Sequence, residues 1–243
     1  MKVNNFIKIL GINIDKVTKA EALGIFEGFL EDSSCKQIVT LNPEMLIEAQ
    51  KNPDFRALLS ESELVFPDGV GLVYASKIKG QPLDERVTGI DFTYDALKLL
   101  AKKNMTAYFL GAKPGIAEAA ARNLEKEIPA LKIVGAHDGY FKPEDEAALI
   151  EDINASGADM LCLALGAPKQ EFFANKYKDK LNCKVAIGIG GSFDVWSGTL
   201  KRAPQFYIDH NIEWLYRLMQ EPSRIKRIAK LPLFLLKVAV YKE

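Results

Sequence analysis

Short apolar runs alternate with amphipathic segments along most of this chain. The runs at 36–40, 64–66, 106–110, 132–136, 159–165 and 184–189 end in glycine, proline or asparagine, as strands buried in a sheet do. Between them apolar residues recur at helical spacing. In 18–30, Ala22, Ile25, Phe26 and Leu30 share one face, and Thr18 with Glu21 forms a capping box. Pro43 suits the first turn of a helix continued by 44–50. Further helices are expected over 71–79, 116–127, 144–156 and 171–177, and 8–14 reads as a first strand or hairpin arm.

Strand, glycine turn and helix, repeated, predict an α/β fold: a Rossmann-like, mostly parallel sheet with helices on both faces. Ligands of such sheets bind outside the C-terminal ends of the strands. The pattern changes near residue 206. Helical spacing over 213–219 and 224–230, with Pro222 between, leads into the mostly apolar 231–241, interrupted by Pro232 and Lys237. Two units are therefore expected: an α/β domain over 1–205 and a C-terminal, helical, amphipathic appendage over 206–243.

Charge sharpens the second unit. Lysine plus arginine and aspartate plus glutamate are 32 each, so the whole chain carries no basic signal for nucleic acid. Residues 211–243 hold seven basic and three acidic residues, a local net of +4 that suits an anionic partner. Three scattered cysteines, Cys35, Cys162 and Cys183, make neither a disulfide framework nor a zinc site, and they point to a reducing compartment. The N-terminus lacks a long apolar stretch, and no run approaches the roughly 20 residues of a spanning helix. Export and membrane spanning are both disfavoured.

Five constellations fall at strand ends. In 39–44, Thr40 and Asn42 can hydrogen-bond a sugar or phosphate, or one of them can simply cap the next helix. Asp68, on the tight turn of 66–71, is either a general base for an acceptor hydroxyl or a turn residue beside Gly69. Arg86, in 85–91, offers a guanidinium fork to a diphosphate, or pairs on the surface. The stretches 165–171 and 188–194 bring glycines that admit a nucleotide close to the backbone, followed by Asp194 for ribose or uracil. Their spacing is not G-x-G-x-x-G. No two aspartates stand one residue apart to clamp a metal, His137 and His210 are a poor metal pair, and there is no Walker loop or G-x-S-x-G elbow.

Taken in order, the stretches TLNPEM, VFPDGVG, ERVTGID, YFLGAKPG, GYF, LGAPKQE, GIGGSFDVWSG and KRAP, then EWLYRL and EPSRIKR, resemble the WecG/TagA/CpsF family of bacterial glycosyltransferases over nearly the whole chain. The resemblance implies transfer of N-acetylmannosamine, or its uronic acid or another UDP sugar, to N-acetylglucosamine on undecaprenyl diphosphate, for wall teichoic acid, common antigen or capsule. It makes Asp68 the catalytic base and Thr40, Asn42 and Gln170 sugar-binding residues. It puts Gly191, Ser192 and Asp194, and less directly Tyr140, at the nucleoside. An inverting transfer needs one carboxylate and leaves negative charge on UDP, for which Arg86, Arg217, Arg224 and Arg227 are candidates. The implied partners are a UDP-sugar donor, a lipid-diphosphate acceptor and the inner face of the bacterial membrane, with no cofactor or metal; a homo-oligomer is compatible with the sequence. Two rivals stand beside this. A nicotinamide-dependent dehydrogenase wants its glycine loop after the first strand, and here it comes late. A non-catalytic UDP-sugar sensor or membrane scaffold needs no carboxylate at Asp68.

Overall fold

The computed structural model describes residues 5–83, 85–222, 225 and 229–242. The segment 8–14 is not one strand but the body of an antiparallel hairpin, β1 (Phe6–Ile9) and β2 (Ile12–Asp15). Leu10 and Gly11 turn it at positive φ. Six more strands follow: β3 (Lys36–Leu41), β4 (Leu64–Pro67), β5 (Thr106–Gly111), β6 (Lys132–His137), β7 (Met160–Ala164) and β8 (Val185–Gly188). They form one parallel sheet in the order β4-β3-β8-β7-β5-β6. The α/β, parallel character read from the apolar runs is thus the fold observed.

The helices are α1 (Lys19–Leu30), α2 (Pro43–Ala49), α3 (Pro53–Glu61), α4 (Val70–Ile78), α5 (Gly89–Lys102), α6 (Ile116–Glu127), α7 (Glu146–Ala155), α8 (Lys169–Tyr177) and α9 (Ser192–Trp196). Three of them, α3, α5 and α9, lie outside the stretches expected to be helical. The period of two in each strand divides the core. Ile38, Leu64, Phe66, Phe109, Cys162 and Ile187 point to one face, where they meet α1, α5, α6 and α9 through Phe26, Phe92, Leu124 and Phe193. Tyr108, Leu110, Leu161, Leu163 and Ala186 point the other way, onto α7 and α8. Val39, Leu41 and Val65 share that second face but meet α2, α3 and the hairpin. Because both faces are covered, the inner strands β7 and β8 are apolar without interruption, while the edge strand β6 is only partly buried. All three cysteines are buried and free.

Beyond the sheet, the described residues include the helices α10 (Gln205–Asp209), α11 (Glu213–Gln220) and α12 (Lys230–Val240). Pro232 does not break α12 because it lies in the first turn, where no intrahelical N–H is required. Phe234 and Val238 of α12 are fully buried against the cluster holding Met45, Leu46, Phe55 and Leu72, whereas Leu233, Leu236 and Val240 face outward. The helix expected over 224–230 lies mostly outside the described residues.

Candidate active site

The C-terminal ends of β3, β4, β5, β7 and β8 open into one cleft of about 880 Å³, roofed in part by α11 and α12. Thr40, Asn42, Asp68, Arg86, Tyr140, Gln170, Gly191, Ser192, Asp194 and Arg217 all line it, although they are spread over nearly 180 residues of sequence. Arg224 and Arg227 lie outside the described residues.

Asp68 stands directly after β4, with its N–H donating to Leu41 O at 2.7 Å. Gly69 follows at φ +91° and lets the chain turn sharply into α4. Asp68 lines the cleft as a half-buried residue, with its carboxyl enclosed by protein. That enclosure raises its pKa from the ordinary 3.8 to about 6, against the pull of Arg217, then Arg86, with Glu213 supporting the rise and the Gly89 N–H opposing it. An aspartate so held is ionised at neutral pH yet basic enough to take a proton.

The arginines are organised by a residue that the sequence motifs did not single out. Glu213, on α11, accepts from Arg86 Nη2 at 2.8 Å and pairs with Arg217 Nη2 at 3.3 Å. Asn211 Oδ1 accepts from Arg86 Nη1 at 3.3 Å, while Arg86 Nε is buried with no hydrogen-bond partner among the described residues. The Glu213–Arg217 spacing of four residues was the available signal. The Arg86 partnership spans 127 residues and had none.

Other side chains shape the walls. Thr40 Oγ1 donates to Gly188 O at 3.0 Å, tying the end of β3 to that of β8. Asn42 Oδ1 accepts from Glu44 N–H at 3.0 Å and Met45 N–H at 3.1 Å, so this residue is the N-cap of α2 as well as part of the cleft wall. Gln170 is buried and held at both ends of its amide: Oε1 accepts from Gly190 N–H at 3.3 Å, and Nε2 donates to Glu171 Oε1 at 2.7 Å. A Cβ on Gly188 would stand 2.3 Å from Gln170 Nε2, so the close approach requires glycine there. Glu171, also missed, is enclosed beneath this loop, and burial pushes its carboxyl up to about 7 while the Gln170 amide opposes the rise. Ser192 Oγ donates to Ile189 O at 2.8 Å, and Tyr140 projects from the rim, 70% exposed. Among the described residues no three His, Cys, Asp or Glu side chains come together as a metal site, and no helix is long and apolar enough to cross a membrane.

Comparison with known proteins places the chain in a family. Residues 7–243 match the glycosyl transferase WecG/TagA/CpsF family. An N-acetylglucosaminyldiphosphoundecaprenol N-acetyl-beta-D-mannosaminyltransferase of Bacillus spizizenii is 40% identical over 204 residues, 84% of this chain and 79% of the relative. Its counterpart by name in Bacillus subtilis is 38% identical, covering 83% and 78%. One from Staphylococcus aureus is 32% identical over 238 residues, 97% of this chain and 93% of its own. Both the match along nearly the whole length and these identities make the chain a member of the WecG/TagA/CpsF glycosyltransferase family.

Proposed function

We propose that the protein moves N-acetylmannosamine from UDP-N-acetylmannosamine to the N-acetylglucosamine of undecaprenyl diphosphate, inverting the anomeric centre to give a β-1,4 linkage, the linkage unit of wall teichoic acid. The observation that carries the chemistry is the enclosed carboxyl of Asp68, with a pKa of about 6, facing two arginines across the cleft. Asp68 takes the proton from the acceptor hydroxyl as that oxygen attacks the donor sugar. The bond from the anomeric carbon to the UDP oxygen breaks, and the electron pair leaves with UDP. Arg86 and Arg217 receive the charge that develops there, with Arg224 and Arg227 as further candidates from the sequence. Thr40, Asn42 and the loop braced by Gln170 form the sugar-binding wall. Gly191, Ser192 and Asp194 form the nucleoside end, with Tyr140 at the rim.

The acceptor is a lipid, so the cleft must meet a membrane surface, here its cytoplasmic face. The outward stripe of Leu233, Leu236 and Val240 on α12 lies in a basic segment, which supports docking as a peripheral protein. The appendage over 206–243 then serves both docking and catalysis. The test is UDP release from UDP-N-acetylmannosamine with a soluble N-acetylglucosaminyl lipid-diphosphate analogue. Release that depends on the acceptor supports the proposal; none with this pair, or release independent of acceptor, overturns it.

A further inference from the structure

Glu213 is, with Asp68, one of two acidic members of a group of four charges buried or half-buried at the mouth of the cleft. Its side chain is 10% exposed, against 18% for Arg86 and 35% for Arg217. With Asp68 ionised, the two guanidiniums are balanced by two carboxylates. A diphosphate entering this cluster adds two or more negative charges that the group as built does not offset, and both it and Glu213 seek the same N–H forks.

We propose that Glu213 is a resident anion, holding Arg86 and Arg217 in the cleft until the substrate diphosphate takes them over. The inference rests on the function proposed above, because it takes a nucleoside diphosphate as the incoming ligand. Three observations carry it. The carboxylate bridges both arginines, one through each oxygen. Arg86 is fixed by the same contact that fixes α11, since its other terminal nitrogen meets Asn211 at the helix entrance. Buried Arg86 Nε, with no hydrogen-bond partner among the described residues, leaves the guanidinium one donor short of satisfaction. A diphosphate that claims Arg86 therefore also loosens the joint between α11 and the sheet. Substrate binding and movement of the helical segment become one event. Glu213 is a positioning residue in this scheme and touches no reacting atom.

A plain strut and a resident anion make opposite predictions for the charge-neutral variant. Removing a strut weakens the site, whereas removing a competitor frees it. Calorimetric titration of UDP into the full chain at low salt should give an affinity about three- to tenfold tighter for Glu213→Gln than for the unaltered protein. Glu213→Asp, which keeps the charge, should stay within about twofold of the unaltered protein. Thermal unfolding of each variant establishes that it is folded before titration. The pH profile is a second readout: with Arg86, Arg217 and the Gly89 N–H left to act on Asp68, the acid limb of activity should move to lower pH in Glu213→Gln. UDP binding to folded Glu213→Gln that is unchanged or weaker overturns the inference, as does equal tightening in Glu213→Asp. No UDP binding by the unaltered chain overturns the nucleotide-sugar function itself, a separate failure.

Discussion

Asp68→Asn should make the enzyme nearly inactive and, above pH 6, more stable. The carboxyl moves from an ordinary 3.8 in the unfolded chain to about 6 in the fold. Between those values the folded protein holds a proton that the unfolded chain has released. Stability contributed by protonated Asp68 is therefore fully present below about pH 4 and is lost as pH rises through 6. The difference corresponds to at most about 3 kcal/mol at pH 7 and above. Asparagine cannot ionise, and its side-chain oxygen can still accept from the Gly89 N–H, so the variant avoids that cost. Catalysis runs the other way. In the proposed mechanism the ionised form is the base, so the unaltered enzyme should lose activity as pH falls through about 6, keeping roughly a tenth at pH 5, where an unperturbed aspartate would still be almost fully ionised. In the variant, turnover should drop by about 10²-fold or more, as loss of a general base does. Chemical denaturation at pH 4 and pH 8, with UDP release across the same range, measures both halves. Equal stability of variant and unaltered protein at pH 8, or near-normal turnover by the folded variant, refutes the assignment.

Three further outcomes are expected. Transfer should continue at an unchanged rate in excess chelator, since diphosphate charge is assigned to arginines; loss restored by Mg²⁺ or Mn²⁺ would reveal a missed carboxylate ligand set. Gly188→Ala should destabilise the protein by about 1–3 kcal/mol and weaken UDP binding, because the new methyl stands 2.3 Å from Gln170 Nε2 and displaces the amide that anchors Gly190; thermal melts and UDP titration report the two effects. Leu233→Glu with Leu236→Glu should abolish binding to anionic vesicles in sedimentation while leaving transfer to a soluble acceptor intact, because both side chains are more than half exposed.

The parts of the fold visible in sequence are those where one physical rule acts alone. Inner strands such as β7 and β8 are buried on both faces, so their apolar runs are unbroken. Pro43 and the Thr18–Glu21 box mark helix starts directly, and the structure has both. The same signal recurs in Asn52-Pro53, which caps and opens α3, with Phe55, Leu58 and Leu59 at helical spacing behind it, so this helix too is written in the sequence. Helix α5 begins inside the stretch that carries Arg86, where Thr88 and Asp91 fit a helix start. Thr88 is in fact the cap. At the site, residues at strand ends were legible because parallel topology alone gathers them. Glu213 was not, since its meaning depends on a tertiary contact with Arg86, and Glu171 was not, because a carboxyl's burial leaves no local mark in the sequence.

The two apolar faces of α12 have a geometric consequence. Phe234 and Val238 fasten the helix to the body of the protein, where it packs against α4, while Leu233, Leu236 and Val240 point away from it. Helix α4 begins two residues after Asp68, is about 13 Å long, and carries the exposed Tyr74 and Ile78. With the outer stripe resting on a bilayer, as proposed, the assembly works as a ruler. The height of the catalytic carboxyl above the lipid is then set by packed side chains rather than by a flexible tether. An acceptor would then be selected by how far its sugar stands from the membrane as well as by the sugar it carries.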